Sequence, residues 1–154
     1  MDADFVYISK SEEDTAKLAE SLASIAKIGD VFALFGTLGM GKSVLARAFV
    51  QKLSGAKEVP SPTFTLVQGY DTPDFEINHY DLYRLKSPEE IFEIGMEDAM
   101  YQSVSLIEWP EMMGGYLPRN IFKIQITPCE EGRKISISAG SDEKKQRLKT
   151  LGDL

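Results

Sequence analysis

Gly36, Gly41, Lys42 and Ser43 stand in the order G-x-x-x-x-G-K-[ST], inside the stretch GTLGMGKS. Glycines let a backbone curl until successive N–H groups point inward at phosphate oxygens. Thr37, Leu38, Gly39, Met40, Gly41, Lys42, Ser43 and Val44 therefore form the expected nucleotide-binding set. Lys42 brings a mobile positive charge to the β and γ phosphates, and Ser43 a hydroxyl for Mg²⁺. A helix beginning at this point adds its N-terminal partial charge behind the phosphates.

A carboxylate at the end of a neighbouring strand normally completes such a metal site, and SVSLIE puts Glu108 there. A further set of reactive types lies in HYDLYR, which holds the chain's only histidine, His79, with Asp81, Tyr83 and Arg84. On a strand, residues 79, 81 and 83 share one face. Asp81 suits a carboxylate that orients water near the γ-phosphate. Read alone, His79 equally suits a hydrogen-bonded structural residue, and Asp81 with Arg84 a surface ion pair. In SPTFT, Pro62 restricts Ser61, and the hydroxyls of Ser61, Thr63 and Thr65 suit a switch responding to γ-phosphate and metal. A polar lead-in to a strand is the plainer reading of the same residues. Trp109 fits a partly buried core position, an adenine-side aromatic or a partner anchor.

These residues need elements to hold them. Val31 to Phe35 is a continuous apolar run, as in a strand buried on both faces, and Val44 to Leu53 has helical apolar spacing stopped by Ser54-Gly55. Upstream, residues 5 to 9 read as a short strand, and Ser11 with Asp14 has the spacing of a capping box opening a helix that carries Leu18, Leu22 and Ile25. Thr63 to Tyr70 and Phe75 to Leu82 predict an antiparallel hairpin about DTPD. Ser87-Pro88-Glu89-Glu90 predicts a helix start leading into IFEIGMEDAM. Val104 to Ile107 predicts a second buried strand, which Pro110 keeps from continuing in a ladder. Ile121 to Thr127 and Lys134 to Ser138 predict a second hairpin. The expected fold class is a single α/β P-loop NTPase domain over 1–140, with a mixed, mostly parallel central sheet, flanking helices and antiparallel hairpins. Residues 141–154 form a charged C-terminal tail or helix.

The chain has 154 residues and a formal net charge of −7. Its basic residues are scattered, which argues against affinity built on neutralising nucleic-acid phosphates. No run approaches the roughly 20 apolar residues that span a bilayer, and the acidic start lacks the features of a secretory signal. The single Cys129 has no partner for an internal disulfide. The expectation is a soluble cytoplasmic protein without a membrane role.

Taken in order, FGTLGMGKS, SPTFTLVQGY, HYDLYRL, EIGMED and LIEWPE resemble the TsaE (YjeE) family of bacterial P-loop ATPases. The resemblance runs from the N-terminal helix to about residue 138. It implies a role in making threonylcarbamoyladenosine, the modified adenosine beside the anticodon, through binding TsaD and TsaB proteins; contact with tRNA is then only indirect. It implies ATP and Mg²⁺ as cofactors, with Ser43 and Glu108 as metal ligands and Lys42, Asp81 and Glu108 as the catalytic set. Thr63 corresponds to a residue near γ-phosphate, Trp109 to a nucleotide-sensitive aromatic and Arg133 to a base-contacting arginine, with residues 9 to 11 also facing the adenine. Met40 stands where the family often has Ala, Ser43 where Thr is commoner, and Thr37 where Asp is frequent; the loop's backbone role and the hydroxyl survive.

Three activities share this residue set. The first is an ATPase, slow alone and partner-dependent, that resets a protein complex, with water as the attacking group. The second is a nucleotide-gated binding module with incidental hydrolysis. The third is a small-molecule kinase, which the five widely spaced arginines serve poorly as a clamp on a second phosphorylated substrate.

Overall fold

The computed structural model describes residues 3–36, 41–62 and 65–151. Thr37, Leu38, Gly39, Met40 and Thr63, all singled out in the sequence, lie outside the described residues.

Among the described residues, seven strands make one sheet in the order β1-β7-β6-β2-β5-β4-β3. They are β1 (Phe5–Ser9), β2 (Val31–Phe35), β3 (Val67–Asp71), β4 (Glu76–Asp81), β5 (Val104–Glu108), β6 (Phe122–Cys129) and β7 (Gly132–Ala139). The helices are α1 (Glu12–Ser24), α2 (Lys42–Ser54), α3 (Met96–Gln102) and α4 (Asp142–Lys149).

The sheet is mixed but not mostly parallel. β6, β2, β5 and β4 run parallel, while β1 on β7, β7 on β6 and β3 on β4 are antiparallel, so the pairings divide evenly. Both hairpins form, and the antiparallel pairing of β1 with β7 adds a third such contact that no local turn announces. Parallel strands covered on both faces explain the unbroken apolar run of β2, whose Phe32, Ala33 and Leu34 are wholly inside. One face of the sheet packs Leu18 and Leu22 of α1, Leu45 and Phe49 of α2, and Leu148 of α4. The other packs Tyr80, Ile107 and Ile121 against Ile91, Met96 and Met113.

Local chemistry sets the helix ends. Ser11 accepts a hydrogen bond from the Asp14 N–H at 3.1 Å, and the Asp14 carboxylate reaches back to the Lys10 N–H at 2.9 Å. This is the reciprocal pattern of a capping box, with the return bond falling on the N–H one residue before the cap. Gly55, at φ 73°, closes α2 with its N–H on the Gln51 carbonyl. The single helix expected after Ser87 is instead split: a 3₁₀ segment, Pro88–Phe92, ends before Gly95, whose φ of 67° breaks the spiral and starts α3 anew. β3 likewise starts later than the sequence suggests, because Leu66 takes a left-handed φ of 68°.

The charged end of the chain is helical. Ser141 caps α4, and Arg147 grips the buried Asp30 beside β2 with Nη2 to Oδ1 at 2.9 Å. Arg147 also donates to the Ile25 carbonyl and to Glu143, while Lys144 Nζ lies 3.8 Å from Asp30. Asp30 holds the guanidinium proton more tightly than usual. Asp30→Ala would leave Lys144 and Arg147 facing each other with only the exposed Glu143 on the guanidinium, and is expected to cost about 3 kcal/mol. Urea unfolding with an unchanged m-value is the check; a loss below about 0.5 kcal/mol would show that solvent replaces the pair. Among the described residues, no helix is long and apolar enough to cross a membrane.

Candidate functional site

Three parallel strands end at one edge. Leu34 of β2 is in register with Glu108 of β5, and Glu108 with Asp81 of β4, so two carboxylates sit side by side where the apolar strands stop. Gly41, at φ 96°, turns the chain into α2, whose first residues are Lys42 and Ser43. Ser43 is exposed in that first turn.

Lys42 is only 5% exposed. Its Nζ meets no hydrogen-bond partner among the described residues and lies 3.7 Å from the centroid of the Trp109 ring. Burial pushes its pKa down from the usual 10.5, against the opposing pull of Glu108, Glu111 and Asp81. A buried ammonium without a hydrogen bond is costly unless an anion arrives, and a ring face compensates only in part.

Trp109 is half-buried and takes a left-handed backbone (φ 60°, ψ 48°) between the end of β5 and Pro110. That turn brings the indole onto Lys42 while it still packs, partly buried, against the core cluster of Tyr80, Ile107 and Met113, as the core reading of its spacing expects. Tyr83 packs against it with ring centroids 4.9 Å apart. Tyr83 does not share a strand face with His79 and Asp81: β4 ends at Asp81, whose carboxylate takes the Tyr83 N–H at 3.0 Å and turns the chain. Arg84 follows, exposed. Ser61 reaches the same carboxylate, with Oγ 3.4 Å from Asp81 Oδ2. His79 instead joins Glu108, with Nε2 2.6 Å from Oε2 and both side chains buried.

Arg133 and Val44 lie on the other side of α2's start. They line a hollow of about 260 Å³ with Ser9, Ser11, Thr15 and Gly41. Gly132 has φ 144°, and a β-carbon there would collide with the Ser9 carbonyl, so glycine lets the β6–β7 turn close against the end of β1. Ser9 Oγ and Thr15 Oγ1 share a hydrogen bond of 2.6 Å at the base of the hollow.

The structure thus gathers Lys42, Asp81, Glu108, Trp109, Tyr83 and His79 at one edge, ties Ser61 to it through Asp81, and places Val44 and Arg133 around the adjoining hollow. Sequence reasoning passed over Glu111, which faces Lys42, and Thr15, which floors the hollow; the run WPE and the capped helix start at Ser11 were the signals for them. Hard oxygen donors, two carboxylates and a hydroxyl, suit Mg²⁺. The orphaned Lys42 ammonium suits phosphate.

A four-stranded parallel centre with its charged groups gathered at the carboxyl ends, beside a glycine-started helix, defines an α/β protein whose ligand site lies at that edge. The family model for "Threonylcarbamoyl adenosine biosynthesis protein TsaE" matches residues 9–135. The tRNA threonylcarbamoyladenosine biosynthesis protein TsaE of Rickettsia felis is 41% identical over 140 residues, covering 90% of this chain and 82% of that protein. Its Bacillus subtilis counterpart is 33% identical over 129 residues, covering 82% and 80%. The crystal structure of Bacillus subtilis YdiB superposes with a TM-score of 0.78 at 26% identity, over 96% of this chain and 91% of that one. The chain belongs to the TsaE family and takes part in tRNA threonylcarbamoyladenosine biosynthesis.

Proposed function

We propose that this chain is a P-loop ATPase, Mg²⁺-dependent, that binds and resets a TsaD/TsaB-type transferase complex. The observation that carries the ATPase reading is Lys42: a buried ammonium with no hydrogen-bond partner among the described residues, beside two strand-end carboxylates. The partner reading rests on the family.

On this reading Lys42 leaves the Trp109 face and gives its three N–H donors to the β and γ phosphates. Ser43 and Glu108 hold Mg²⁺, which when bound neutralises charge on the phosphate oxygens. Asp81 orients the attacking water, and Ser61 senses Asp81's position. Val44 and Arg133 face the base across the hollow beside α2. The backbone from Thr37 to Val44 wraps the phosphates, and Thr63 lies near the γ-phosphate. Tyr83, Arg84 and Trp109 carry the change toward partners, and tRNA is reached only through the complex.

The chain has one tryptophan. Its emission should therefore change when ATP draws Lys42 away. Turnover should be slow for the protein alone and rise when TsaD and TsaB proteins are added. ATP hydrolysis unaltered by those proteins, with no association between them, would refute the proposal.

A further inference from the structure

His79 is 3% exposed and lies on β4 two residues before Asp81, opposite Leu106 of β5. Its Nε2 is 2.6 Å from Glu108 Oε2, and its Nδ1 has no hydrogen-bond partner among the described residues. A buried N–H left unsatisfied is costly, whereas a bare ring nitrogen against apolar neighbours costs less. The satisfied arrangement puts the proton on Nε2, which donates to Glu108 and leaves Nδ1 bare. A glutamate at a strand end otherwise samples several rotamers, and either oxygen can turn to the site. Here Oε2 is committed to the ring, which leaves Oε1 to face a ligand.

We infer that His79 is a positioning residue that locks Glu108 so that one oxygen meets Mg²⁺. This rests on the proposed ATPase reading. The role parallels the hydrogen bonds that orient metal ligands elsewhere, whose loss weakens metal binding by about 10–100-fold. A histidine kept only for packing would not act on the metal separately from the nucleotide.

The test uses the whole protein with ATPγS, reading Trp109 emission and calorimetric heat in EDTA and across a Mg²⁺ titration. His79→Leu and His79→Asn remove the donor at that position; His79→Gln keeps an amide N–H at the place of Nε2. The first two are expected to raise the Mg²⁺ concentration needed for half-saturation by about tenfold or more, with nucleotide affinity in EDTA unchanged. Gln is expected to restore the metal dependence to within about threefold of wild type. Asn carries the same expectation as Leu if the apolar variant does not fold. Wild-type metal dependence in Leu or Asn, an equal loss in EDTA, or Gln as weak as Asn would overturn the inference alone. A wild-type protein that binds no nucleotide with or without Mg²⁺ would overturn it together with the ATPase reading.

Discussion

Lys42→Ala is expected to weaken ATP binding about 100-fold or more, measured by calorimetry with ATPγS. The ammonium is buried at the mouth of the site, stacked 3.7 Å from the Trp109 ring and without a hydrogen bond among the described residues, so little has to be broken there before it reaches a phosphate. Two charge-assisted hydrogen bonds at roughly 1.5–3 kcal/mol each exceed the approximately 2.7 kcal/mol that 100-fold represents. Binding within about threefold of wild type would mean that Lys42 does not meet the phosphates. The same burial predicts a trade of stability for binding. Without nucleotide, Lys42→Met should be more stable than wild type by about 1 kcal/mol, since the desolvation cost of the charge goes while the stem's packing stays. The sign with pH follows from a folded pKa held below 10.5. The penalty is full below the folded pKa and fades as pH rises toward 10.5, so the gap between variant and wild type should narrow in alkali.

Glu108→Gln is expected to lower ATP turnover by about 10²–10³-fold while leaving nucleotide affinity within a few-fold of wild type. The substitution keeps the shape and an oxygen for the His79 N–H, which lies 2.6 Å from Oε2, so the buried imidazole stays paired. Glu108→Ala would orphan that ring and add a folding cost of about 1–3 kcal/mol, which blurs the kinetic result. Single-turnover hydrolysis with and without the TsaD and TsaB proteins decides between the readings. If Glu108→Gln loses turnover and also fails to support tRNA modification, hydrolysis is obligatory. If modification proceeds without turnover, nucleotide binding alone does the work and the chain is a gated module.

The parts of this molecule that could be read from sequence are those written in neighbouring residues. β2, the glycines before Lys42, the cap at Ser11 and the strand end at Glu108 each depend on a few adjacent side chains. What escaped depended on distant pairing or on one dihedral. The bond from His79 to Glu108 requires β4 to lie beside β5, and extending the strand face to Tyr83 failed because Asp81 ends β4 by capping the next N–H. Gly95 looks from sequence like an interruption a helix tolerates; its positive φ divides the segment. The even mix of parallel and antiparallel pairs follows from β1 finding β7, and no local pattern encodes that meeting.

The pairing of β1 with β7, and the grip of Arg147 on Asp30 across 117 positions, also order events during synthesis. β2, the strand that leads to Lys42, sits between β5 and β6, both made much later in the chain. A nascent chain ending near residue 100 therefore holds the glycine loop and α2 without either neighbour of the strand that supports them. Until β5 and β6 emerge and Arg147 closes over Asp30, its apolar strand is available to chaperones and to other chains.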